Sequence, residues 1–219
     1  MAIKAIKSKI VSFFIRIKKK RIDWKQNILY KTAKRRVFID CGANTGKVLE
    51  EFILKKTGFE FYAFEPQPEL ADTGKRIKAK YPELSLTFYN QAVWTENTTM
   101  NFYLATRWGP NYKGGSTLLQ GNTLNKNLID YKHAEKVRTI DFSKWLLISF
   151  CKRDYIIIKM DIEGSEYEVL EKMIRDGSIT FVNELIIEFH YHKYDHISEE
   201  RHQKLEKELN KHVKLTQWV

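Results

Sequence analysis

Apolar positions along this chain fall into two rhythms. Short continuous runs, Val37–Asp40, Glu60–Phe64, Leu84–Tyr89, Tyr155–Met160 and Leu185–Phe189, read as buried strands. Between and after them lie segments of helical periodicity: Gly46–Lys56, Gln67–Lys80, Asp141–Phe150, Ser165–Arg175 and Ser198–Lys211. Ser198 is the expected N-cap of the last helix, and Glu199 and Glu200 suit the positive end of its dipole. His212–Val219 is predicted to close the pattern as a strand. Strand and helix alternating at this pitch predict an α/β fold, a mostly parallel central sheet with helices on both faces.

Two stretches depart from the rhythm. Residues 95–140 hold an alternating run, Thr99–Leu104, and a second, Lys136–Ile140, which are expected to pair. Between them Arg107–Asn127 is rich in Gly, Asn and Thr, and predicts a lid or substrate loop. At the start of the chain, Ile3, Ile6, Ile10, Phe13, Ile17 and Trp24 fall on one helical stripe with lysines on the other face. This basic amphipathic helix suits packing on the body, an anionic membrane surface or nucleic acid. The chain therefore divides into an arm, residues 1–35, and a domain, residues 36–219.

Charge sharpens that division. The 219 residues carry a net charge of +11. Residues 1–36 hold 13 Lys and Arg against one acid, Asp23, while the remainder holds 25 bases against 26 acids. The basicity belongs to the arm, and the domain is balanced. Two cysteines, Cys41 and Cys151, build no disulfide framework, which makes a cytoplasmic setting the expectation, peripheral to a membrane where the arm engages one. The apolar stretch Ile10–Ile17 is interrupted by Arg16 and lacks a cleavage site, so no secretory signal is expected. No run approaches the roughly 20 apolar residues that span a bilayer.

The chemistry gathers at the carboxyl ends of the strands, where open α/β sheets bind ligands. Val37–Asp40 runs into Gly42-Ala-Asn-Thr-Gly46, and the next strand ends on Glu65. A dinucleotide turn places Gly where Asn44 stands, so that a pyrophosphate can approach the backbone. Gly46-Lys47-Val48 is no P-loop either. A nucleoside cofactor with an amino-acid tail and no phosphate fits better, namely S-adenosylmethionine. Glu65 has two acceptor oxygens for two ribose hydroxyls. Asp40 and Gly42 are placed near the methionine end, and Gln91 and Ala92 near the adenine, with Asn44, Gly46 and Asp161 as further cofactor contacts.

These stretches resemble the FkbM-type family of class I S-adenosylmethionine-dependent methyltransferases. The matching residues are Phe38–Gly46, Ala63–Pro66, Ala92-Val93, Ser116–Leu118, Val137–Asp141, Ile158–Glu166 and Leu185–Glu188 with His190. Ile158-Lys-Met-Asp-Ile-Glu-Gly-Ser-Glu166 is the most specific. The resemblance covers residues 37–192 and implies a Rossmann-like fold and O-methylation of a sugar, glycan or related small molecule, with S-adenosylhomocysteine as product. The usual last antiparallel strand of that fold is expected to be missing or rearranged.

For the proton of an acceptor hydroxyl the candidates are Asp161, Glu163 and His190, with Glu188 beside them. Glu188 and His190 are expected to share one face of a strand, and the ordinary pKa of histidine suits neutral pH. Asp161, Glu188 and His190 also form a less favoured set of ligands for a divalent ion. His192, His196 and His202 are expected at the surface. The expected partners are a sugar or glycan acceptor, lipid-linked if the arm, residues 1–24, lies on a membrane. The competing readings are an RNA ribose methyltransferase, suggested by the arm, and a non-catalytic interaction module. The Asp161-Ile-Glu-Gly sequence is unlike the Pro-Pro motif of amino-methylating nucleic-acid enzymes, and nucleic acid is the less expected partner.

Overall fold

The first long apolar run, with its Gly turn, forms the centre of the sheet. In the computed structural model, residues 27–105, 114–124 and 128–218 are described. In chain order they form helical residues 27–32 (α1), β1 (Arg36–Cys41), α2 (Lys47–Lys55), β2 (Glu60–Phe64), α3 (Thr73–Lys80), β3 (Leu86–Tyr89), β4 (Ala92–Trp94), β5 (Thr99–Ala105) and β6 (Ile129–Asp141). There follow α4 (Phe142–Ser149), β7 (Tyr155–Met160), α5 (Glu166–Asp176), β8 (Glu184–Ile187), α6 (Glu199–Leu209) and β9 (Lys214–Gln217).

Six strands make one sheet in the order β3-β2-β1-β7-β8-β9, and every pair in it is parallel. Burial on both faces explains why its strands are continuous apolar runs. All six residues of β7 are buried. Leu49, Phe59 and Ile77 pack on one face, and Phe142, Leu146, Leu170, Met173 and Leu205 on the other. This is the expected α/β architecture. The antiparallel last strand has no counterpart among the described residues, for β9 runs parallel to β8. The order reverses between β1 and β7, which places the ligand crevice above their carboxyl ends.

A second, three-stranded sheet, β4-β6-β5, stands beside the first. The expected pairing of 99–104 with 136–140 is present as an antiparallel ladder, with Thr99 opposite Arg138. Strand β6 begins earlier, at Ile129, because a register irregularity near Tyr103 breaks the alternation that marks a strand in sequence.

Other boundaries shift for local reasons. The helix expected from Gln67 starts at Thr73, after a separate 3₁₀ turn, Pro68–Leu70, with Pro at its first position. Asp141 and Ser198 cap α4 and α6, accepting from the N–H of Lys144 and Arg201. Strand β8 ends at Ile187, so Glu188 and His190 leave the strand and His190 opens a 3₁₀ turn. His202 is a correction. It is buried and meets the Tyr167 hydroxyl at 2.9 Å, because it shares the inward face of α6 with Leu205 and Leu209. His192 and His196 are exposed. The basic helix over residues 1–24 lies outside the described residues, as does much of the 107–127 loop. Among the described residues no helix is long and apolar enough to cross a membrane.

Candidate active site

The end of β1 is shaped by a crowding that only glycine tolerates. Gly42 has φ 84°, and a Cβ there would lie 1.9 Å from the carbonyl oxygen of Asp161. The N–H groups of Gly42 and Ala43 both donate to the Phe64 carbonyl at 3.0 Å. The turn carries on through Asn44, itself left-handed at φ 50°.

That conformation turns the Asn44 N–H toward Glu65, whose Oε2 accepts it at 2.8 Å, while Oε1 accepts the Gln67 N–H at 2.9 Å. Each carboxylate oxygen keeps a second acceptor position. Burial pushes the Glu65 pKa up to about 7, against the opposing pull of the two backbone donors. The Asn90 amide donates to the carbonyls of Glu65 and Gln67 and fixes the segment between them.

A cleft opens above this turn. Glu65, Gln67 and Ala92 line one side, Asp161, Glu163 and Ser165 the other, with Gly42 and Asn44 between. Of the predicted cofactor residues, Gly42, Asn44, Glu65, Ala92 and Asp161 are on its wall. Asp40, Gly46 and Gln91 are not. Gly46 packs against α3, where a Cβ would come within 2.6 Å of Ile77 Cδ1. Asp40 lies beneath the wall, fully buried, with the ammonium of Lys159 3.3 Å away.

Lys159 was not among the predicted site residues. It is a buried cation in an otherwise apolar strand, and it donates to the Gly42 carbonyl at 3.0 Å and to Asp161 Oδ2 at 3.4 Å. Burial works against its charge, yet Asp40 and Asp161 outweigh that and raise its pKa. Burial likewise raises the pKa of Asp40 and of Asp161, with Lys159 pulling both back. The signal in sequence was available: a lysine inside Ile-Ile-Ile-Lys-Met has no solvent to reach.

Glu166 is the second residue not predicted, although it ends the most specific motif. It is fully buried. Its carboxylate accepts from the N–H of Ile162 and Gly164, both at 2.9 Å, and meets His190 Nδ1 at 2.9 Å. It therefore fixes the 162–164 turn and the imidazole together. The other ring nitrogen, Nε2, lies 3.2 Å from Glu188 Oε1, 3.7 Å from Glu163 Oε2 and 3.8 Å from Asp161 Oδ1. Burial disfavours a charged imidazole, but Glu166 leads the carboxylates that raise its pKa to about 10. Asp161, Glu163 and His190 each present one ligand-type atom within 4.8 Å of the others.

The described part of the predicted loop forms a wall. Gly114, Ser116 and Leu118 face the cleft. The hydroxyls of Thr117 and Tyr194 both donate to the Glu163 carbonyl at 2.7 Å. Bridges Tyr103–Thr117 and Asn122–Tyr194 tie the segment at both ends. Glu163 itself has φ 52° and pairs with Lys193 at 2.8 Å.

Residues 40–215 match the family model described as the methyltransferase FkbM domain. No curated protein and no solved structure matches the chain.

Proposed function

This chain belongs to the FkbM methyltransferase family, and on that premise we propose that it is an S-adenosylmethionine-dependent O-methyltransferase acting on a sugar or glycan hydroxyl. The observation that carries the reading is one cleft with Glu65 at one end and Asp161 and Glu163, backed by the buried His190, at the other. S-adenosylmethionine, when bound, supplies a methyl group on a sulfonium leaving group. Glu65 fits its ribose: a buried carboxylate with one acceptor position left on each oxygen suits two vicinal hydroxyls. Asn44 and Gln67 keep that carboxylate in place through their backbone N–H groups. Ala92 and Val93 offer an apolar surface to the base.

At the other end, Asp161 and Glu163 present carboxylates on the cleft wall, which suit an acceptor that loses a proton as its oxygen attacks. Alignment of acceptor and methyl group supplies the rest of the rate. Gly42 and Lys159 set the position of Asp161 from below. We assign the basic arm, residues 1–24, to an anionic membrane surface, and hence the acceptor to the lipid-linked glycans.

Calorimetry with S-adenosylhomocysteine tests the cofactor, since binding should be lost in Glu65→Ala, and unchanged binding removes the assignment. Radiolabelled methyl transfer to a glycan panel and to bulk RNA tests the acceptor. Labelling of RNA alone would replace the sugar reading with a ribose one. Removal of residues 1–24 should abolish liposome binding and leave S-adenosylhomocysteine affinity unchanged.

A further inference from the structure

The geometry points to a divalent cation site beside the acceptor end of the cleft, with Asp161, Glu163 and His190 as ligands. The inference rests on the methyltransferase reading for its role, though not for its existence.

Three independent features meet there. The first is spacing. Two ligand atoms each about 2.2 Å from one ion and 90–120° apart stand about 3.1–3.8 Å from each other. His190 Nε2 lies at 3.2, 3.7 and 3.8 Å from single oxygens of Glu188, Glu163 and Asp161. The second is an orphaned atom. The His190 side chain is fully buried, and its Nε2 has no hydrogen-bond partner even though three carboxylates surround it. Its nearest oxygen, Glu188 Oε1 at 3.2 Å, is out of line for a well-formed hydrogen bond.

The third feature is the far side of the ring. Nδ1 sits 2.9 Å from a buried carboxylate, Glu166, which is itself fixed by two backbone N–H groups. A metal-binding histidine characteristically donates its remote N–H to a carboxylate, which sets the tautomer and frees the other nitrogen for the ion. Charge agrees with this. Asp161, Glu163, Glu166 and Glu188 surround one imidazole, and of the two lysines nearby Lys193 pairs with Glu163 while Lys159 is shared with Asp40. A divalent ion in place of the imidazole proton reduces the surplus of negative charge.

Two carboxylate oxygens with one imidazole suit an ion of the manganese type better than magnesium or calcium, which prefer oxygen alone. Such an ion binds a hydroxyl oxygen and lowers its pKa. In the transfer the hydroxyl proton passes to water and the new O–C bond forms as the C–S bond breaks. The electron pair of that bond stays on sulfur, and no oxidant or reductant is needed. The site thus favours a hydroxyl as the acceptor group.

The test uses the full chain, stripped with a chelator and titrated with MnCl₂. Binding is followed by loss of the free Mn²⁺ paramagnetic resonance signal and by calorimetry. One Mn²⁺ per chain is expected, bound at least about tenfold more tightly than Mg²⁺. Glu166→Gln should weaken Mn²⁺ by about 10–100-fold through the histidine it orients. Because Glu166 and His190 are buried, Asp161→Asn and Glu163→Gln serve as partly exposed variants whose folding is checked by circular dichroism. Each should weaken Mn²⁺ by tenfold or more. Absence of Mn²⁺ binding at millimolar concentration, or an affinity unchanged in both exposed variants, overturns the site. Adenosine or S-adenosylhomocysteine binding without Mn²⁺ binding overturns the ion and leaves the methyltransferase standing. Mn²⁺ binding without nucleoside binding supports the ion and overturns the cofactor assignment.

Discussion

At the β2 end of the cleft one carboxylate, Glu65, is buried against two backbone N–H groups and, among the described residues, pairs with no cation. At the β7–β8 end, four carboxylates crowd around one imidazole, with two lysines in reach. Desolvation sets the properties of the first and charge pairing those of the second. A lone carboxylate raised toward neutrality is ready to be stabilised by a ligand's hydroxyl donors. In the cluster, burial and charge pairing oppose each other, raising the carboxyl of Asp161 while the imidazole holds that of Glu188 down. The contrast teaches that the two ends of this cleft have different electrostatics, which on the proposed reading divides binding from chemistry.

The two ends are joined at Gly42. Its N–H reaches the Phe64 carbonyl on the β2 side, and its carbonyl accepts Lys159 on the β7 side. Gly42→Ala should break both at once, since the added carbon lands 1.9 Å from Asp161 O at a left-handed φ. The expected cost is about 4 kcal/mol or more, read as loss of the cooperative thermal transition or of soluble protein. A variant that folds and binds both adenosine and Mn²⁺ like the parent would show that the ends are independent.

Lys159→Met breaks the charged end alone. It leaves Asp40 and Asp161 without their cation, and truncating one partner of a buried pair costs about 3–5 kcal/mol. Urea denaturation measures it. Adding Asp40→Asn should recover part of the loss, and a double-mutant cycle with no coupling would mean the pair is not ionised. Glu65→Ala breaks the other end. Two hydrogen bonds to a charged acceptor are worth about 1.5–3 kcal/mol each, so adenosine affinity should fall by about 10²-fold or more, while Mn²⁺ affinity stays unchanged.

How much of this was legible beforehand differs between the same two ends. The Gly42–Gly46 turn and Glu65 announce themselves because each acid or glycine interrupts a continuous apolar run at a strand end. The charged end is assembled from residues whose sequence context suggests something else. Lys159 sits where a strand should be apolar, and Glu166 occupies the first turn of α5, where acids are ordinarily solvated dipole partners. His190 is visible in the sequence, but it reaches the cluster through a turn beyond β8, not by strand alternation. The small sheet was half visible, because an irregularity in β5–β6 pairing erased the period-two signal over 129–135. His202 was misplaced because its periodicity with Leu205 and Leu209 was not applied to a polar residue.

The smallest effect sharpens the comparison most, because it is one only the β2 end should show. Glu65 titrates at about 7 in the folded chain against 4.5 for an ordinary glutamate. Its raised pKa means the protein holds that proton more tightly folded than unfolded. The associated stability is present below pH 4.5 and is lost as pH rises through about 7. Binding of a ribose runs the other way, because hydroxyl donors favour the ionised carboxylate. Between pH 6 and pH 8 the ionised fraction climbs from about one-tenth to about nine-tenths, so adenosine affinity should rise by ~10-fold. Calorimetry across that range measures it, with 2′,3′-dideoxyadenosine as the control that lacks both donors and should show a flat profile. Adenosine with a flat profile too would detach Glu65 from the ribose, and the contrast between the two ends would then rest on the charged cluster alone.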